Sequence, residues 1–153
     1  MMAFHNTEVI MSNQRSGSAV WNGGLKDGGG NISTESGAMD KVQYGFHTRF
    51  EDGPGTNPEE LIGAAHAGCF TMALSGILAE AGLTAKKLAT TATVTLDKLD
   101  DGYAITAVHL DLVATIPGAD QKKFDEAALK AKLNCPVSKL LNTEITMDAR
   151  LEA

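Results

Sequence analysis

The chain has 153 residues, 43% of them hydrophobic, with 13 Lys and Arg against 19 Asp and Glu and a formal net charge of -6 at pH 7. That length suits one domain with its own core, and the scattered basic residues exclude a dedicated nucleic-acid binder, which needs clustered Lys and Arg against phosphate. No apolar run approaches the roughly 20 residues needed to span a bilayer, and the opening MMAFHNTEVIMSNQR lacks the apolar core of a signal peptide, so a cytoplasmic protein without a membrane partner is expected.

Residues 1–15 mix polar and isolated apolar positions without a period and are read as a poorly ordered tail, leaving 16–153 as a single domain. From Ser16 the pattern is β-like: SAVWNGGL, then GGGNISTES after a Gly28-Gly29-Gly30 turn, then a run towards YGFHTRF anchored by Phe46 and Phe50. The segment from Asn57 to Gly82 carries the strongest helix signal. Asn57 caps, Pro58 suits the first helical position, Glu59 and Glu60 meet the positive end of the dipole, and Gly82 supplies the stop. From Leu61 to Leu78 it has no charged residue, so it is expected to be a central helix covered on nearly all sides. The remaining elements are too small to cover it, which predicts a second copy of the chain as the lid, hence a homodimer.

Beyond this helix, two strands joined around Asp100-Asp101-Gly102 place Val108, Leu110, Leu112, Ala114 and Ile116 on one face. Asp120 opens an amphipathic helix with Phe124, Ala127, Ala128 and Ala131 inward. Asn134-Cys135-Pro136 interrupts it and starts a short helix, PVSKLLN. A last strand alternates Ile145, Met147, Ala149 and Leu151 with polar residues. The order defines an α+β domain.

The two cysteines are the chief candidates for chemistry. In a reducing compartment they stay thiols, and any disulfide is transient. Cys69 on an apolar helix reads first as a small buried hydrophobe. It lies roughly three turns in, beyond the dipole's reach, so a reactive thiolate there needs a neighbouring cation. Cys135 before Pro136 is either the N-cap of a helix, facing unpaired N–H groups, or simply a pre-proline turn residue. Arg49 and Glu51 in HTRFE, with Glu59 and Glu60, supply a candidate cation and carboxylates, against the plainer reading of a solvated charge run. His66 precedes Cys69 by one helical turn, but the other half of a metal site is missing, and neither metal nor cofactor is expected. It is read as a packed or hydrogen-bonded core histidine, with tuning of Cys69 as the alternative. The glycines of GGLKDGGGN lack the frame of a phosphate loop.

Taken together, STESG (33–37), YGFHTRFE (44–51), GTNPEELIGAAHAGCFTMALS (55–75), VTLDKLDDGYAIT (94–106) and CPVSKLLNTEIT (135–146) resemble the OsmC/Ohr peroxidases, the osmotically inducible and organic hydroperoxide resistance proteins, and more closely the OsmC branch. The resemblance runs from about Ser18 to Leu151 and leaves the first 15 residues outside. It implies an OsmC-like α+β fold, antiparallel strands around a long apolar helix in an intertwined homodimer with sites at the subunit interface. It also implies a thiol peroxidase of oxidative and osmotic stress, with Cys69 as attacking thiol, Cys135 as resolving thiol, Arg49 as activating cation and Glu59 as the carboxylate that positions it. The implied partners are an alkyl hydroperoxide, with hydrogen peroxide a weaker substrate, and a dithiol reductant, either a small thiol or a lipoyl-type protein. A redox sensor or ligand-binding protein on the same fold is the alternative. Phe70, Met72 and Leu74 are the expected apolar wall near Cys69. Glu59 and Cys69 are separated by about 15 Å along a regular helix, so the helix breaks near Gly63 or Gly68, Arg49 bridges the gap, or Glu59 comes from the other subunit, the arrangement favoured here.

Overall fold

The computed structural model describes residues 11–152. The expected tail falls outside that range for residues 1–10, while residues 11–16 are exposed and carry no regular secondary structure. The chain forms two compact units, one ending at Thr56 and the other beginning at Asn57.

The first unit is an antiparallel sheet of β1 (Gly17–Asn22), β2 (Gly29–Thr34) and β3 (Val42–Tyr44), followed by the single-turn helix α1 (Phe46–Phe50). Two expectations change here. Gly29 and Gly30 belong to a strand and not to a turn, because Gly30 pairs with Trp21 on one side and Tyr44 on the other. Those rings meet edge to face at 5.5 Å, and a Cβ on Gly30 would come within 2.7 Å of the Tyr44 ring and 2.9 Å of the Trp21 ring. The glycine is the floor beneath the aromatic pair. The run through YGFHTRF also leaves the strand: Thr48 Oγ1 accepts the Gly45 N–H at 2.9 Å and its hydroxyl donates to the Gly45 carbonyl at 3.0 Å, which turns the chain into α1.

The second unit has a helix layer on one face of a three-stranded sheet. Its elements are α2 (Pro58–Glu80), β4 (Lys87–Leu99), β5 (Gly102–Thr115), α3 (Gln121–Asn134), α4 (Pro136–Leu140) and β6 (Glu144–Glu152), with sheet order β4-β5-β6. The end signals of α2 act as read: Asn57 Oδ1 accepts the Glu60 N–H at 2.8 Å, and Gly82, at φ 75, closes the far end as the Leu83 N–H reaches Leu78. Asp120 caps α3 in the same way at 2.8 Å. β4 and β5 form the expected antiparallel hairpin, and Val108, Leu110, Leu112, Ala114 and Ile116 all lie in the core with Phe124, Ala127, Ala128 and Ala131 of α3. β6 departs from the antiparallel plan. It runs parallel to β5, because α3 and α4 form the crossover that returns the chain to the same end of the sheet.

α2 is continuous and unbroken at Gly63 and Gly68, which removes a helix break as the answer to the Glu59–Cys69 separation. Its buried residues, Glu59, Gly63, His66, Phe70, Leu74 and Leu78, form one stripe. Gly63 lets the helix touch β4, since a Cβ there would sit 2.9 Å from the Ala92 carbonyl oxygen. The opposite stripe, Ala64, Ala65, Gly68, Met72, Ser75, Gly76 and Ala79, is exposed. The helix is thus covered on one side within its own chain and not all round. By length and composition α2 would also pass as a membrane span, as core helices of this kind do, so the expectation that nothing here approaches that length is corrected.

Candidate functional site

Proline fixes the position of Cys135. α3 ends at Asn134 because Pro136 cannot continue it, and the same proline begins α4 with Cys135 as its N-cap. The Cys135 thiol is fully buried, and its sulfur accepts the Ser138 N–H at 3.3 Å. Of the two readings the sequence left open, the cap holds.

Cys69 lies halfway along α2 and is partly exposed; both cysteines are free thiols. The Cys69 thiol lies beside the backbone of Val137, in the first turn of α4, and beside the side chain of Cys135, and both act on its titration. Helices remote in sequence therefore bring the two sulfurs together. Burial pushes the Cys69 thiol up from its ordinary pKa; the Val137 N–H pulls the other way, and Cys135 adds to the rise. Within its own chain this thiol is a poor thiolate.

His66 is completely buried one turn before Cys69. Its Nε2 lies 2.8 Å from Ser138 Oγ, and that hydroxyl lies 3.1 Å from Cys135 Sγ. Burial lowers the histidine pKa, which keeps the ring neutral. Ser138, itself buried, was not among the residues singled out from the sequence. The available signal was its place three residues after a cysteine N-cap, where its N–H must find an acceptor.

Arg49 is on α1 of the first unit, its guanidinium 5.5 Å from the Phe50 ring centre, and Glu59 is buried in the first turn of α2 in the second. The expected wall near Cys69 does not form on one face: Phe70 and Leu74 are locked in the core, whereas Met72 is 77% exposed on the other stripe. Among the described residues, His109, Asp111 and Asp148 are spaced to share a cation. The His109 ring is already engaged, by Thr146 at 2.5 Å on Nδ1 and by Asp148 at 3.1 Å on Nε2, in a solvated cross-strand cluster.

The arrangement of an α+β chain with two free, neighbouring cysteines defines a dithiol protein with a fold found in solved structures. An OsmC-like protein from Mycoplasma pneumoniae superposes with a TM-score of 0.74 at 16% identity, covering 94% of this chain and 100% of that one. The OsmC-like protein family model matches residues 51–150. Peroxiredoxin OsmC of Escherichia coli (strain K12) is 52% identical over 143 residues, 94% of this chain and 100% of that protein. Organic hydroperoxide resistance protein OhrB of Bacillus subtilis (strain 168) is 29% identical over 124 residues, 80% of this chain and 88% of the relative. The chain belongs to the OsmC family.

Proposed function

We propose that this chain is a thiol peroxidase that reduces organic hydroperoxides, and hydrogen peroxide more weakly, through Cys69 and Cys135. The observation that supports this most is the juxtaposition of two free thiols from distant helices, in a chain 52% identical to a protein named peroxiredoxin. The Cys69 thiolate attacks one peroxide oxygen, the O–O bond breaks, and the alcohol leaves after taking a proton, with Cys69 as sulfenic acid. Cys135 then displaces the sulfenic hydroxyl as water and closes a disulfide. A dithiol reductant, a small thiol or a lipoyl-type protein, reopens it by exchange.

Because burial disfavours the Cys69 thiolate, the chemistry calls for a cation beside the sulfur. Arg49 is assigned that role, and Glu59 orients its guanidinium. The continuous helix keeps Glu59 about 15 Å along the axis from the Cys69 of its own chain. We therefore assign the Arg49–Glu59 pair at each thiol to the other subunit of a homodimer. The exposed small-residue stripe of α2 supplies the contact face, since small side chains let two backbones approach closely. Residues 16–153 act in this reading as one domain, in the cytoplasm, where reductants keep the dithiol cycling.

The test is turnover. With a dithiol present, the enzyme consumes many equivalents of cumene or tert-butyl hydroperoxide per chain and fewer of hydrogen peroxide. Consumption that stops after one equivalent would instead identify a redox sensor.

A further inference from the structure

The mechanism just described leaves one buried titratable group unused. His66 has no solvent exposure; its Nε2 is 2.8 Å from Ser138 Oγ, and its Nδ1 has no hydrogen-bond partner among the described residues. Burying an imidazole with one nitrogen unpaired is costly, and apolar packing alone would not select it. The hydroxyl it touches goes on to Cys135 Sγ at 3.1 Å, and the Cys135 side chain in turn neighbours the Cys69 thiol. The four side chains form one continuous line from an interior base to the attacking thiol.

We propose that Ser138 and His66 are a proton relay for the resolving step, in which His66 acts through Ser138 on the Cys135 thiol. The inference rests on the dithiol reading above. When Cys135 attacks the Cys69 sulfenic acid, the new S–S bond forms as the Cys69 S–O bond breaks, so Cys135 is oxidised and the sulfenic sulfur reduced. The Cys135 proton passes to Ser138 Oγ while the Ser138 proton passes to His66 Nε2. The departing hydroxide takes a proton back and leaves as water, which restores the neutral ring. Bond polarity fits: with Cys135 as thiol, Cys135 donates to Ser138 and Ser138 donates to Nε2, leaving the ring proton on Nδ1. After transfer, Ser138 donates to the thiolate and Nε2–H donates to Ser138. One serine bridges both states without changing position.

Burial holds His66 below its ordinary pKa, so the neutral ring is ready to accept and the imidazolium is short-lived. The titratable groups in line with it are the thiols Cys135 and Cys69, and Glu59 stands two turns earlier on the same buried stripe. The core side chains brought against this stripe from β4 and α3, such as Val94, Ala128 and Ala131, are apolar. Ser138 is a catalytic residue of the second step in this scheme, and His66 a positioning residue.

Rapid mixing of the full chain with cumene hydroperoxide separates the steps. Dimedone trapping reads the Cys69 sulfenic acid, and non-reducing peptide mapping reads the disulfide. Ser138→Ala and His66→Gln should each accumulate trappable sulfenic acid and close the disulfide about a hundredfold more slowly, the scale of general acid–base assistance. The double variant should be no slower than either single one, because a relay fails as a unit. Ser138→Thr, which keeps the hydroxyl, should restore most of the rate, a rescue that lost packing would not give. Disulfide closure at the wild-type rate in Ser138→Ala would overturn the relay. Absence of both sulfenic acid and disulfide in the wild type after peroxide would overturn the peroxidase reading itself, so the two failures are distinguishable.

Discussion

Cys69, in the middle of α2, lies beside Cys135, the N-cap of α4, although most of the second unit's sequence lies between them. Because the sulfurs are already neighbours, oxidation should join them within one chain. One equivalent of peroxide should remove both free thiols and yield a single peptide linking Cys69 to Cys135, at a rate independent of protein concentration. Peptide mapping under non-reducing conditions checks this, and disulfide-linked dimers as the main product would contradict it.

Activation of Cys69 requires an outside charge, because burial raises its pKa within the chain. An opposite charge beside a titrating group shifts its pKa by about 1 to 3 units. Arg49→Ala should therefore move the pH midpoint of Cys69 alkylation by iodoacetamide upward by about that amount, and slow peroxide attack at neutral pH roughly tenfold or more. Arg49→Lys keeps the charge but loses the planar fork, and should fall between wild type and Arg49→Ala.

The two glycines of α2 should respond in opposite ways. Gly63→Ala drives a methyl group against the Ala92 carbonyl at 2.9 Å and should lower the melting temperature. Among the described residues of the chain, Gly68 has nothing within 4 Å of such a methyl group. Gly68→Ala should thus leave the fold of the chain intact, with a helix-propensity gain of about 1 kcal/mol. Differential scanning fluorimetry of the pair checks the assignment of buried and exposed stripes.

That exposed stripe carries the dimer proposal. Met72, 77% exposed at its centre, should be buried when two chains meet. Met72→Glu should shift the sedimentation coefficient to that of a monomer and lower turnover with it, because Arg49 and Glu59 of the other subunit are then lost to the thiol.

His66 gives a pH signature in stability. Its folded pKa is below the ordinary value of about 6.5 because burial disfavours the charged ring. Above that pH the ring is neutral in both folded and unfolded chains and costs nothing. As pH falls below it the unfolded chain takes up the proton first, so stability declines until the folded pKa is passed. The urea midpoint of the wild type should drop between about pH 7.5 and 5.5, and His66→Gln should flatten that part of the curve.

Local signals wrote most of the second unit. Asn57-Pro58 and Gly82 bound α2, Asp100-Asp101-Gly102 folds the β4–β5 hairpin, and Asp120 starts α3, because each works through bonds to residues a few positions away. Features set by distant partners were not legible. The Gly30 floor needs Trp21 and Tyr44 on either side, and the parallel seat of β6 depends on the crossover before it. The pairing of His66 with Ser138 spans two helices that only the tertiary fold brings together. For the site, the motif drew attention to both cysteines and to the Cys135 cap. Cys135 meets Ser138 through its own cap, and the resemblance paired it with Cys69, but the link onward to His66 came from packing alone.

The most direct measurement is steady-state consumption of cumene hydroperoxide by wild type, Cys69→Ser and Cys135→Ser under one dithiol reductant. The account predicts many turnovers for the wild type, none for Cys69→Ser, and a single equivalent consumed by Cys135→Ser. Equal consumption by all three proteins would contradict it.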